Sequence, residues 1–273
     1  MAIQKILITG VNGLIGSLVY ERLSALTDVY DVYGADRSTK HSDRVSDVSA
    51  HKVPAGRFFE VDLADRMRVQ TICEGMHMVV HLAANPDPGA SWDSLLHNNI
   101  EATYHVFEAC RLSGVQRVVY ASSGQAILGY RHQEPYKGVA EGYCPDRPLP
   151  QVTYDMPTKP INVYGCTKIW GEALARTYAD AHGLSCLCIR FGWVLAKDAL
   201  PYPNQRDVWC SGRDAVQMVE RCLAAPDFLR YDIFQAFSKS PYLWKDISHA
   251  QAVLGYDPQD DVIQFETKKQ EPY

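Results

Sequence analysis

Up to residue 192 the chain alternates short apolar runs with longer amphipathic segments, and this alternation leaves few folds open to it. The runs are "KILIT" (5–9), "VYDVYGAD" (29–36), "RFFEVD" (57–62), "MVVHLA" (78–83), "RVVYASS" (117–123) and "SCLCIRFG" (185–192). Between them, residues 14–26, 65–74, 94–113 and 164–182 carry helical periodicity. Runs rich in β-branched and aromatic residues need cover on both faces, and strands joined through helices run parallel. The expectation is a Rossmann-type, doubly wound parallel α/β sheet. With 273 residues, 47% of them hydrophobic, one domain over 1–273 can bury a full core.

Two regions depart from the alternation. Residues 130–161, rich in Pro, Tyr and charge, make a connection long enough to belong at a functional site, a plain surface excursion being the alternative. After residue 193 the order fades. "SGRDAVQMVERCLAA" still predicts a helix with Ser211 as N-cap and Asp214 in its first turn, and "KDISHAQAVLG" predicts one closed by Gly255.

A net charge of −5 and a pI near 6.0, with no basic stripe, exclude nucleic acid as the expected partner. No apolar segment reaches the length of a membrane span, and "MAIQKILITG" runs straight into core-like sequence, so no membrane and a cytoplasmic location are expected. The eight cysteines are scattered without a C-x-x-C pair, which reads as free thiols acting as small apolar residues. The nine histidines show no ligand spacing, so no metal is expected.

Gly10, Gly13 and Gly16 follow the first strand and open a helix. Without Cβ atoms the backbone turns tightly, a pyrophosphate can approach the amides, and the helix packs closely on the strand. The spacing is G-x-x-G-x-x-G, and a tight turn without a ligand is the competing reading. Asp36 ends the second strand about 20 residues later, where a carboxylate accepts both adenosine ribose hydroxyls and repels a 2′-phosphate. That favours NAD over NADP, with Arg37 next to it softening the preference.

Tyr164 and Lys168 stand four apart at the start of a helix and so share a face. A nearby ammonium and an oxidised nicotinamide both favour the tyrosine phenolate, which makes it a usable base. Ser122 and Ser123 end a strand, and only one of them can face the pocket. Ser123 is taken as the substrate-holding hydroxyl, the alternative being that both serve the backbone.

"TGVNGLIG", "DLAD" (62–65), "HLAA" (81–84), "NNIEAT" (98–103), "ASSG" (121–124), "YGCTK" (164–168) and "RFG" (190–192) occur in the order seen in extended short-chain dehydrogenases/reductases, the NAD-dependent epimerase/dehydratase family, which this chain resembles. The resemblance implies NAD held by Gly10, Asn12, Gly13, Leu14, Ile15 and Gly16, with Asp36 and Arg37 at the ribose and Asp62 and Leu63 at the adenine. It implies Leu82, Ala83 and Ala84 along the nucleotide, and Asn99 positioning the helix that carries Tyr164 and Lys168. Ser123, Tyr164 and Lys168 form the implied catalytic set, although many relatives carry the pocket hydroxyl one place later, at Gly124. Residues 1–192 then form mainly the NAD-binding core and 193–273 mainly a substrate-binding part, with 130–161 also at the site.

Only about 80 residues follow "RFG", too few for the nucleotide-sugar grip of larger relatives, so the substrate is expected to be a small carbohydrate-like molecule. "YPNQRDVWCSGRD" (202–214) and "PYLWKDISHAQAVLGYDPQDD" (241–261) are similar to uronate dehydrogenases. By that resemblance Arg206 grips a substrate carboxylate through paired hydrogen bonds, a surface arginine being the alternative. Asn85, Gln125 and Trp193 are expected beside it. Gly124 and Gln125 in place of an Asn-His pair, Trp193 in place of a small hydroxyl residue, and the long 130–161 segment depart from those enzymes. The expected activity is NAD-dependent oxidation of a sugar or sugar acid, and a homodimer through helices 94–113 and 164–182 is possible. An epimerase or dehydratase with retained cofactor, or a non-catalytic NAD-binding sensor, are the other readings.

Overall fold

The computed structural model describes residues 3–45, 52–196 and 202–268. Seven parallel strands form one sheet in the order β3-β2-β1-β4-β5-β6-β7. They are β1 (Gln4–Thr9), β2 (Tyr30–Asp36), β3 (Phe58–Glu60), β4 (Met78–His81), β5 (Arg117–Ser123), β6 (Ser185–Phe191) and β7 (Tyr231–Ala236). The helices are α1 (Leu14–Ser24), α2 (Arg66–Cys73), α3 (Trp92–Leu95), α4 (Ala102–Leu112), α5 (Lys137–Ala140), α6 (Val163–His182), α7 (Gly212–Leu223), α8 (Ser248–Leu254) and α9 (Val262–Lys268).

All six expected strands form, β1 one residue longer than expected, β5 over its expected range, and the other four trimmed. Successive side chains alternate across the sheet. Ile6 and Ile8 face a layer built on α1, α7 and α8, while Leu7 between them faces α2, α4 and α6. Both faces are thus covered, which is why the strands read as continuous apolar runs.

Strand β7 is an addition to the sequence reading. Asp232 and Gln235 interrupt its apolar pattern, and Gln235 is buried because its amide donates to the carbonyls of Val152 at 2.8 Å and Asp246 at 3.0 Å. A polar side chain is tolerated inside when it finds partners, and here it hides a strand. The helical stretch expected at 94–113 contains a wide π turn over Leu96–Glu101 between α3 and α4. Such one-turn bulges commonly mark functional sites.

Segment 130–161 is not a loose excursion. It carries α5, and Val152 exchanges backbone bonds with Trp244 and Asp246. Tyr136, Val139 and Val152 join Ile127, Trp209, Tyr242, Trp244 and Val262 in a third apolar cluster beyond the sheet. Ser211 caps α7 and Gly255 closes α8 in the left-handed conformation, as the sequence predicts. Asp214 does more than favour the positive end of α7. Its fully buried carboxylate accepts from Ser238 at 2.5 Å and from the amides of Gln259 and Asp260 at 2.6 and 3.2 Å, pinning the C-terminal part to the helix. No helix among the described residues is long and apolar enough to cross a membrane.

Candidate active site

In an open parallel sheet, ligands bind beyond the carboxyl ends of the strands where the strand order reverses. Here that point lies between β1 and β4, and a cleft of about 1020 Å³ opens there.

One wall is the glycine turn. Gly10 has φ +72° and its amide donates to Ala35 at 2.8 Å, so the chain doubles back directly after β1. A Cβ at Gly16 would lie 2.0 Å from the Gly10 carbonyl oxygen, which only glycine avoids. Gly13 caps α1 without a side chain, and the amides of Leu14 and Ile15 find no acceptor among the described residues. Unpaired first-turn amides at the positive end of a helix form a cradle suited to a pyrophosphate.

At the exit of β2, Asp36 accepts from the amides of Asn12 at 3.0 Å and Arg37 at 2.8 Å. Burial raises its pKa, and those amides work in the opposite direction. Both oxygens are thereby fixed at the edge of the cleft, where further lone pairs are left for hydroxyl donors. The Asn12 side chain ties the turn to Ser38 at 2.6 Å. Asp62, Leu63, Leu82, Ala83 and Ala84 complete this wall. Asp62 is held below the usual carboxylate range, chiefly by the Ala64 amide and further by His97.

The residues present therefore fit a dinucleotide: a cradle without side chains for its phosphates, a fixed carboxylate for its ribose, and an apolar strip for a base.

Where the cleft meets α6, Ser123, Tyr164 and Lys168 converge. Asn162 caps α6 by accepting from Gly165 at 2.8 Å, and the helix places Tyr164 and Lys168 on one face. The Ser123 hydroxyl accepts from the Gln125 amide at 3.2 Å and lies close enough to Tyr164 to act on its phenol. Burial raises the Tyr164 pKa, while the neighbouring Ser123 hydroxyl and the Arg44 charge pull it down. Lys168 donates to the Ala121 carbonyl at 2.8 Å, and burial lowers its pKa to about 7. Burial is thus the largest influence on both groups, and it works against the phenolate that a nearby ammonium favours.

Ser122 also borders the cleft, but its hydroxyl is engaged by Glu172, to which it donates at 2.5 Å, and Glu172 is paired with Arg190 at 2.8 Å, all three buried. Asn99 is absent from the cleft wall. From the wide turn it accepts from the Asn85 amide at 2.8 Å and donates to Thr167 on α6 at 3.1 Å, whereas its neighbour Asn98 lines the cleft.

Asn85, Gln125 and Trp193 line the remaining wall, and the Gln125 amide oxygen accepts from Asn162 at 2.9 Å. Arg206 does not line it. Its guanidinium lies 5.3 Å over the Tyr242 ring and donates to that hydroxyl at 3.0 Å, while the preceding Gln205 takes the place at the cleft. Adjacent positions of a turn face different ways, and the sequence pattern picked the wrong neighbour.

Four cations lining the cleft are absent from the sequence expectations: Lys40, Arg44, Arg131 and Lys245. Arg131 and Lys245 both pair with buried Asp207, at 2.9 and 3.2 Å. Burial opposes ionisation of Asp207, but the Lys245 and Arg131 charges overcome it and hold its pKa down. Lys245 is pushed down to about 8 by burial, against the pull of Asp207. The charge-rich composition of 130–161 was the one available signal for Arg131.

NAD-dependent glucose-6-phosphate dehydrogenase of Haloferax volcanii is 34% identical to this chain over 264 residues, which cover 96% of this chain and 95% of that protein. Uronate dehydrogenase of Pseudomonas putida is 31% identical over 268 residues, 96% of this chain and 86% of that protein. The crystal structure of uronate dehydrogenase from Agrobacterium tumefaciens matches with a TM-score of 0.77 at 28% identity, covering 100% of this chain and 91% of that one. The profile of the NAD dependent epimerase/dehydratase family matches residues 6–208. With the glycine cradle, the Asp36 carboxylate and the Ser123, Tyr164 and Lys168 cluster in one cleft, the chain belongs to the NAD dependent epimerase/dehydratase family.

Proposed function

We propose that the protein is an NAD-dependent dehydrogenase that oxidises a CH–OH group of a small sugar or sugar acid. The observation that carries this reading is the convergence of Ser123, Tyr164 and Lys168 at the end of a cleft whose other wall fits a dinucleotide. Relatives named as glucose-6-phosphate and uronate dehydrogenases span nearly the whole chain, which supports a dehydrogenase over an epimerase.

Ser123 holds the substrate hydroxyl beside the Tyr164 phenol, and Tyr164 removes its proton. The Lys168 ammonium, 5.7 Å from the centre of the Tyr164 ring, would favour the phenolate and would hold the ribose of a bound dinucleotide. NAD, when bound, supplies the hydride acceptor and a positive ring that further favours the phenolate. Asn99 and Glu172, each bonded to groups behind this set, keep α6 and the end of β5 in register.

The same reading includes a cytoplasmic enzyme, whose eight free thiols suit a reducing compartment, and a homodimer through α4 and α6. Tyr104 and Leu112 of α4 stay exposed and are available for such pairing.

The test is NADH formation from NAD and a panel of neutral sugars, uronic acids and sugar phosphates, followed at the nicotinamide absorbance band. Tyr164→Phe should lower kcat by about 10²–10⁴-fold with NAD affinity within threefold of the parent. Normal turnover in that variant would sink the assignment, and sugar conversion without net NADH would move it to an epimerase.

A further inference from the structure

The proposed chemistry uses no cation on the wall formed by the 3-10 turn Leu128–His132 and the C-terminal part, yet a cluster is built there with care. Arg131 grips Asp207 with two parallel bonds, Nε to Oδ2 at 3.0 Å and Nη2 to Oδ1 at 2.9 Å, and Nη2 also donates to the Asn204 carbonyl. Lys245 donates to the Asp207 carbonyl at 2.6 Å and to its carboxylate at 3.2 Å, and the Trp244 indole donates to the same carboxylate at 2.8 Å. The side chains of Asp207 and Lys245 are both 0% exposed, whereas that of Arg131 is 18% exposed and reaches the cleft.

Two cations therefore face one carboxylate, which leaves surplus positive charge at the cleft wall, and of the two only Arg131 has a partly exposed side chain. The Nη1 group of Arg131 carries two N–H donors that find no acceptor among the described residues. Asp207 fixes the plane of the guanidinium, so those donors are aimed before a ligand arrives and little entropy is lost on binding. An arginine so held discriminates for an anion with planar or tetrahedral oxygens. Arg206, expected to do this from the sequence, is turned onto Tyr242 instead.

We propose that Arg131, buttressed by Asp207 and Lys245, receives the anionic group of the substrate, a sugar carboxylate or a sugar phosphate. This rests on the dehydrogenase reading above. It places the specificity of the reaction in segment 130–161, and Arg131 acts on binding while the Tyr164 chemistry is left to its own groups.

The experiment compares kcat/KM for glucose, glucuronate and glucose 6-phosphate, and for the corresponding galactose series, with NAD. The parent protein should prefer one anionic member over its neutral counterpart by at least tenfold, and whether that member is the uronate or the phosphate identifies the anion. Arg131→Met should cut this preference about 30-fold or more, mainly through KM, with NAD affinity showing that the variant is folded. Arg131→Lys keeps the charge against Asp207, guards against misfolding, and should cut the preference about tenfold because the fork is lost. Arg206→Met should leave the preference within twofold.

A loss in Arg206→Met but not in the Arg131 variants overturns the assignment, as does an equal loss on neutral and anionic sugars. NADH formed from the neutral sugars at least as efficiently as from the anionic ones overturns the assignment while leaving the dehydrogenase standing. NADH from no sugar overturns both.

Discussion

The two walls of the cleft recognise their ligands with different atoms. The nucleotide wall relies on backbone: the Gly10 to Gly16 turn, unpaired amides of α1, and one carboxylate at the end of β2. The opposite wall relies on side chains brought from residues 131, 207 and 245, packed over a cluster of Trp, Tyr and Val. Backbone recognition resists most substitutions but tolerates no Cβ where the chain crowds itself. A buried ion cluster has the reverse weakness, because removing any member strands the others in an apolar setting.

Asp207→Asn tests that contrast most harshly. It leaves Lys245 buried without a counter-charge, and a loss of about 3–5 kcal/mol in urea unfolding is expected. A loss below 1 kcal/mol would mean that the second wall is not held by its ions. Gly16→Ala places a carbon against the Gly10 carbonyl and should weaken NAD binding about 30-fold, measured by titration; unchanged affinity would break the backbone account of the first wall.

A smaller effect should follow Asp36→Asn, about tenfold in NAD affinity together with a narrower preference over NADP, since a neutral amide no longer repels a 2′-phosphate. A further test lies at the seam of the two walls. The Lys168 pKa of about 7 lies below its unfolded value of 10.5, so between these values the unfolded chain binds the extra proton and stability rises with pH. Below about pH 7 both states are protonated and the slope vanishes. Lys168→Met should remove up to about 1.4 kcal/mol per pH unit of that rise, read from urea unfolding across the window. An unchanged slope would mean that the Lys168 ammonium is not desolvated.

The nucleotide wall was legible because its signals are local. Three glycines after a strand, an acid at the end of the next strand, and Tyr164 and Lys168 four apart each report a geometry that spacing alone dictates. Strand alternation allowed only one of Ser122 and Ser123 to face the cleft, and the Ser122 hydroxyl is turned to Glu172. The other wall was opaque for the same reason in reverse. Arg131 and Asp207 are 76 positions apart, and no periodicity links them. Strand β7 was hidden by Gln235, whose burial makes sense only once Val152 and Asp246 are seen to accept from it. Arg206 illustrates the limit of pattern matching: the motif located the turn, and tertiary packing on Tyr242 decided which of its residues met the cleft.

The third apolar cluster also sets an order of events during synthesis. Ile127, Tyr136, Val139 and Val152 emerge from the ribosome well before Trp209, Trp244 and Val262, the partners that bury them. Closing that gap requires a long loop, and non-local contacts of this kind form late. The 130–161 segment must therefore wait, and its prolines and charges keep the waiting chain from pairing with a neighbour's strands. Strands β1 to β6 all precede Asp207 in the chain, so the pair that Arg131 makes with it can close only after those six strands have left the ribosome.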